Sequence, residues 1–241
     1  MRKTVLLMAI VCLLSTRLFA QSSQSTVWGA WFHTQRLSDK WGVAFDGQFR
    51  SADDVKYLRN ILLRPSVAYY FDNNHVASLG YAYIGTNGRS PLDEKTFRPE
   101  SRIWEQFVIS HKVGRNISLS HRFRLEQRFL GNTSTGDAES NDNLFSQRFR
   151  YFVRGIVPFK KDSVFSKGIY LAAQNELFLN LQNKSKLNDS FYDQNRAFIA
   201  IGYRFSKKFD IEAGYLNHYS KSPNSIYITN HVAQLVVYTR F

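Results

Sequence analysis

The feature that most constrains this chain is a period-two alternation of apolar and polar residues, repeated block after block beyond Ser25. Such alternation places successive side chains on opposite faces of an extended strand, whereas an amphipathic helix would repeat near every 3.6 residues. The run from Lys40 to Ser51 is the clearest: Trp41, Val43, Phe45 and Phe49 share one face, and Gly42, Ala44, Asp46, Gln48 and Arg50 the other. After Gly114-Arg115-Asn116 the pattern returns, with Ile117, Leu119, Phe123, Leu125 and Phe129 set against Ser118, Ser120, Arg122, Arg124, Glu126 and Arg128. One face is apolar and the other charged, so the strands must separate a greasy environment from a polar one.

Eleven blocks read this way: 26–37, 40–51, 57–71, 75–85, 102–113, 117–129, 144–157, 169–182, 194–205, 209–220 and 228–241. The block at 102–113 is the least regular, because Glu105 and His111 share a face with Phe107 and Ile109. Several exceed ten residues, long for an ordinary sheet and suited to a tilted strand crossing a bilayer. Their connections alternate between tight, polar turns (38–39, 72–74, 114–116, 206–208, and a longer 159–168) and varied loops (52–56, 86–101, 131–143, 183–193, 221–227). Short turns at one end and long loops at the other are the layout of an outer-membrane barrel, with the short ones periplasmic. Aromatics such as Tyr69, Tyr70, Phe71, Tyr203, Phe205 and Phe209 crowd the short-turn end, where an interfacial girdle belongs.

The sequence therefore predicts an all-β fold: a closed antiparallel transmembrane β-barrel of the outer-membrane type, with 10–12 strands. Placing both termini in the periplasm needs an even count, so either one of the eleven blocks is not a strand or a further one is hidden near the N-terminus or within 86–101, with 12 slightly favoured. A soluble β-sandwich would also alternate, but it would not end on an outward aromatic such as Phe241, where Leu235, Val237, Thr239 and Phe241 share a face. A terminal aromatic of this kind resembles the signal by which outer-membrane barrels are passed to the barrel assembly machinery. Composition agrees with a folded chain that crosses no membrane by helices. Mean hydropathy is -0.34, aromatic residues make up 15% and charged residues 21%, and no apolar run beyond the N-terminus approaches the roughly 18 residues of a membrane helix.

The first twenty residues have the form of an export signal: Arg2 and Lys3, an apolar core at 5–14, and Leu18-Phe19-Ala20 before Gln21. The expectation is a cleaved segment 1–20, a single barrel domain 21–241, and residence in the outer membrane of a Gram-negative bacterium. Cleavage removes Arg2, Lys3 and Arg17 and no acid, taking the net charge from +13 to +10. It also removes Cys12, Met1 and Met8, so no disulfide, thiol nucleophile or cysteine-ligated metal is available to the remainder.

The runs Thr26-Val27-Trp28-Gly29-Ala30-Trp31, Lys40-Trp41-Gly42 through Gln48-Phe49-Arg50, and above all His121-Arg122-Phe123-Arg124-Leu125-Glu126-Gln127-Arg128-Phe129 resemble one family over essentially the whole mature chain. It is the uncharacterised outer-membrane family called domain of unknown function 2490, frequent in Bacteroidetes and related Gram-negative bacteria. The resemblance implies an outer-membrane β-barrel and brings no established activity and no catalytic residues.

Function has to be sought on the polar face. Arg50, Arg64, Arg122, Arg124, Arg128, Arg148, Arg150, Arg154, Arg196 and Arg204 fall there, opposed by Asp46, Glu126, Glu176, Asp210 and Glu212. A lipid-facing arginine would cost ~2–4 kcal/mol near the midplane, so these side chains are expected to line the lumen. Either they form ion-pair ladders that fill a narrow, envelope-structural barrel, or they make a narrow pore that prefers small anionic solutes. An enzymatic alternative rests on His218 and Ser220, two apart on one strand, as a base and nucleophile of a lipid hydrolase. Asn217-His218-Tyr219-Ser220 is similar to the His-x-Ser-Asn run of outer-membrane phospholipase A and lipid A deacylases, except that Lys221 stands in place of Asn. The pair is predicted to face the lumen, and a carboxylate within reach of His218 is the feature that would support catalysis.

Other chemistries find little to build on. The six histidines lack paired ligand spacing, no Gly-rich loop opens a helix, and the basic residues are spread through strands rather than gathered on one surface. No metal, cofactor or nucleic acid is therefore expected. The partners expected are outer-membrane lipids and lipopolysaccharide, whose phosphates suit loop residues such as Lys184, Lys186 and Lys221.

Overall fold

A computed structural model describes residues 22–90, 92–114, 117–135, 144–160, 165–223 and 226–241; the export segment expected at 1–20 lies outside them. Each alternating block forms a strand: β1 (Ser22–Arg36), β2 (Trp41–Ala52), β3 (Tyr57–Tyr70), β4 (His75–Arg89), β5 (Lys95–Val113), β6 (Ile117–Leu130), β8 (Leu144–Pro158), β9 (Gly168–Asn180), β10 (Tyr192–Ser206), β11 (Phe209–Lys221) and β12 (Tyr227–Arg240). A two-residue β7 (Ser134–Thr135) clips onto β5, and a 3-10 turn spans Lys184–Lys186. Chain neighbours pair antiparallel, β6 skipping β7 to pair with β8.

The sheet closes on itself through β1 and β12, which run parallel from Ser22↔Ile228 to Thr34↔Arg240. This is how eleven long strands make a ring. Eleven lies within the expected 10–12; the slight preference for 12 rests on placing both termini at one end, and the parallel seam removes that requirement by putting Ser22 at the long-loop end and Phe241 at the short-turn end. No separate strand lies in 86–101 among the described residues. Instead β4 and β5 continue as one protruding hairpin, paired as far as Arg89↔Lys95, and β5 becomes the longest strand at 19 residues.

Tight turns are closed by their own polar side chains. Asp72 Oδ1 accepts from the backbone N–H of Asn74 at 2.7 Å and of His75 at 2.8 Å, and Ser38 Oγ accepts from Trp41 N–H at 3.1 Å. Such Asx and Ser turns make hairpin ends local and cheap to form. In the first of them, hydrogen bonds from His75 and from Asn74 hold the Asp72 carboxyl below its ordinary range.

Apolar residues point outward and polar ones inward. Trp31, Trp41, Phe49, Leu79, Ile103, Ile199, Ile201, Leu235 and Phe241 are exposed on the outer wall, while Arg50, Arg64, Glu126, Arg148 and Glu212 are buried inside. The irregular outward positions pair with one another: Gln127 donates to Glu105 at 3.1 Å, Asn195 to Asn175 at 2.9 Å, and the rings of His111 and His121 stack at 5.5 Å. Two apolar clusters sit inside the ring, one of Trp28, Ala30, Phe198, Ala200, Leu216, Val232 and Val236, the other of Leu62, Ala82, Ile84 and Trp104. Room for the large rings comes from glycine across the strand. Trp104 lies over Gly80 and Tyr170 over Gly202, each directly opposite in register, and a Cβ on either glycine would overlap the ring.

Candidate functional site

The strand register places inward acids beside inward bases. Glu126 lies opposite Arg148, Asp46 opposite Arg64, and Asp210 opposite Arg204. From these pairings the lumen builds three tiers of charge. Nearest the long loops, Glu100 holds Arg128 at 2.6 Å and Arg102 at 2.7 Å. In the middle, Glu126 is reached by Arg150 at 2.5 Å, Arg148 at 2.7 Å, Arg102 at 3.4 Å and Arg124 at 3.9 Å, and Glu176 by Arg150 at 2.5 Å and Arg122 at 2.6 Å. Arg64 meets Asp46 at 2.6 Å. Towards the short turns, Glu212 is bonded by Arg154 and by the hydroxyls of Tyr170 at 2.8 Å and Tyr238 at 3.2 Å. Asp210 accepts from Arg204 and Arg240, both at 2.9 Å.

Burial differs sharply between the two halves. On the short-turn side Tyr170 and Glu212 have 0% exposure and Val236 1%, although all face inward, so side chains fill the ring there. On the long-loop side a cavity of about 670 Å³ opens between Asn132, Lys186, Asn188 and Lys221, and descends to Trp28, Arg50, Arg64, Phe178 and Arg196. The lumen is thus a cup, open at the loops and floored near mid-barrel.

Two arginines at that floor have no carboxylate within 4.0 Å among the described residues. Arg50 spends its donors on Gln48 Oε1, at 2.5 Å and 3.2 Å, and reaches Asp46 only through that amide. Arg196 stands opposite Glu176 in register, yet the Glu176 carboxylate turns to Arg150 and Arg122, leaving Arg196 with Gln194 at 3.1 Å. Its Nε is buried without a hydrogen-bond partner, as is that of Arg64. The indole of Trp28 lies against both, with its centroid 4.1 Å from Arg50 Cζ and 5.3 Å from Arg196 Cζ, and Arg196 also covers Phe178 at 4.7 Å. Stacking of this kind is worth about 2 kcal/mol when desolvated, less than the several kcal/mol that burying an unpaired charge costs.

Every arginine and carboxylate predicted for the polar face points into the lumen: Arg50, Arg64, Arg122, Arg124, Glu126, Arg128, Arg148, Arg150, Arg154, Glu176, Arg196, Arg204, Asp210 and Glu212. Sequence reasoning missed Glu100, Arg102, Asp193 and Arg240. Glu100 and Arg102 are two apart in β5, in step with Trp104 and Gln106, so extending the alternation back from 102 would have found them. Arg240 shares the inward step of Tyr238 and was hidden by attention to the outward Phe241. Phe241 itself is half exposed, packs on the His33 ring at 5.9 Å, and locks the seam by accepting from Arg36 N–H at 2.6 Å and donating to Thr34 O at 2.9 Å.

His218 and Ser220 also face the cup and line its cavity. Both ring nitrogens of His218 have amide partners, Gln194 on Nε2 at 2.5 Å and Asn230 on Nδ1 at 3.2 Å, and no carboxylate hydrogen-bonds the ring among the described residues. Nor do the described residues bring together three His, Cys, Asp or Glu side chains that could hold a metal ion.

A ring of eleven long strands, apolar outside and ion-paired inside, defines a closed β-barrel. The chain belongs to the family described as "Protein of unknown function (DUF2490)", whose model matches residues 25–229. It is similar to an uncharacterised protein of Methylorubrum extorquens, 27% identical over 244 residues, an alignment covering 100% of this chain and 99% of the relative.

Proposed function

We propose that this chain is a small, non-enzymatic outer-membrane β-barrel, exported by its N-terminal segment and closed within by its own side chains. It serves the envelope as a structural barrel rather than as a narrow anion-conducting pore. The observation that carries this reading is the full burial of inward-facing Tyr170, Val232 and Glu212, positions that a water-filled channel would wet. Membrane residence is supported by the apolar outer wall, which in water would expose far more than the few hundred Å² of contiguous apolar surface usual for a soluble monomer. It is supported too by the aromatics at the short-turn end, where Trp41, Tyr69 and Phe71 meet edge to face at 5.0 Å. Its partners on this reading are outer-membrane lipids, lipopolysaccharide and the assembly machinery.

The test is conductance of the mature, refolded protein in a planar bilayer, beside membrane fractionation of the native chain. The expected result is outer-membrane recovery with a silent bilayer. Stable anion-selective openings that vanish when Arg122, Arg124 and Arg128 are neutralised together would replace this reading by the pore.

One observation favours lipid hydrolysis as a second reading: His218 and Ser220 both line the open cup, although the Asn230 Nδ2 group donates to Nδ1 of His218 and so fixes the tautomer opposite to that of a catalytic base. Against it, the Nε2 that would take the proton from Ser220 is held by Gln194, inside the cup and away from any acyl chain. Phospholipid turnover by wild type, abolished in Ser220→Ala, would establish the hydrolase; no turnover by either protein is the expected outcome.

A further inference from the structure

We propose that the floor of the cup is a binding site for an oxyanion, the phosphate or carboxylate group of a small solute, held between Arg50 and Arg196 beside the indole of Trp28. This goes beyond closure of the lumen and does not depend on it. The other lumen arginines of the three tiers each have a carboxylate within 4.0 Å; among the described residues these two do not. Both are nonetheless held in place, Arg50 with 8% of its surface exposed and Arg196 with a buried Nε that has no partner. A cation fixed by stacking and amide bonds, with donor capacity left over, is prepared for a ligand rather than neutralised by its own fold. Guanidinium is the group suited to that role, since its planar fork matches the oxygens of a phosphate or carboxylate two at a time.

The surroundings fit such a guest. Arg64, although paired with Asp46, adds a third guanidinium whose Nε is likewise buried and unpartnered. The Nδ2 group of Asn230, with a second N–H beyond the one it gives to His218, lines the same cavity, and the His218 ring packs on Trp28 at 5.5 Å. A cavity of about 670 Å³ falls within the range of small-molecule sites, and among the described residues its lining runs to the long-loop end. Rim lysines such as Lys186 and Lys221 would draw anions towards it.

The experiment is calorimetric titration of the mature protein in uncharged detergent micelles with inorganic phosphate and with succinate, at constant ionic strength in chloride. Saturable phosphate binding is expected, weakened about tenfold or more by Arg50→Gln and by Arg196→Gln and less than about twofold by Lys221→Gln at the rim. Because neither arginine has a carboxylate to abandon, both variants should keep the heat-modifiable mobility of a folded barrel. Should either fail to fold, Arg50→Lys and Arg196→Lys retain the charge and lose the fork, and are expected to fold and bind more weakly. A parallel titration in micelles doped with a phosphate-bearing lipid separates two sources of the same group. Loss of phosphate binding there means that a headgroup reaches the site, and unchanged binding means that a free solute does. Absence of saturation in undoped and doped micelles alike, or equal weakening by Lys221→Gln and Arg50→Gln, would overturn the proposal.

Discussion

Four guanidinium groups, from Arg102, Arg124, Arg148 and Arg150, lie within 3.9 Å of the Glu126 carboxylate, which is 1% exposed. Removing one charge from such a hub leaves several buried cations facing each other. Glu126→Gln is therefore expected to cost about 3–5 kcal/mol, read as a lower denaturant midpoint for the micelle-bound barrel. Arg196→Gln, which strands no carboxylate, should leave that midpoint unchanged or raise it. Equal losses from the two substitutions would show that pairing does not govern the stability of the lumen. The arginines as a set were legible in the sequence, because alternation alone decides which way they point. Which of them would be left over was not. Arg150 and Arg196 read alike along the chain, and only the spatial stagger of β8, β9 and β10 lets Arg150 take the Glu176 carboxylate that stands opposite Arg196.

Among the elements, the parallel seam is where reading and structure part. Each hairpin was legible, since its turn chemistry and its alternation are local. The β1–β12 pairing was not, because parallel and antiparallel neighbours impose the same period of two on each strand. A preference for 12 that put both termini at one end accordingly asked for one more long strand than the described residues form. Cys12 is the one cysteine of the sequence, so its replacement leaves a cysteine-free background in which the seam can be tested by introduced pairs. Cysteines at Val27 with Ala233, and at Trp31 with Val237, are in register and should cross-link on mild oxidation. The crossed pairs, Val27 with Val237 and Trp31 with Ala233, should not. Cross-linking of the crossed pairs instead would mean an antiparallel seam.

At the scale of the whole molecule, the cup predicts a one-sided pattern of access. A water-soluble thiol reagent should modify Ser220→Cys rapidly in the folded protein, whereas Val236→Cys, inward-facing and 1% exposed, should react only after unfolding. Comparable rates at the two positions would indicate water through the full length of the ring. The seam has a consequence of another kind, in the order of assembly. The Trp31 indole N–H and Thr239 Oγ1, bonded at 2.9 Å across it, are 208 residues apart in the chain. Every other neighbouring pair among the long strands is joined through a single connection, so its loop-closure entropy is small beside that of the seam. The first strand must accordingly wait, one edge unsatisfied, until nearly all the rest has formed, and the barrel is sealed by its slowest contact.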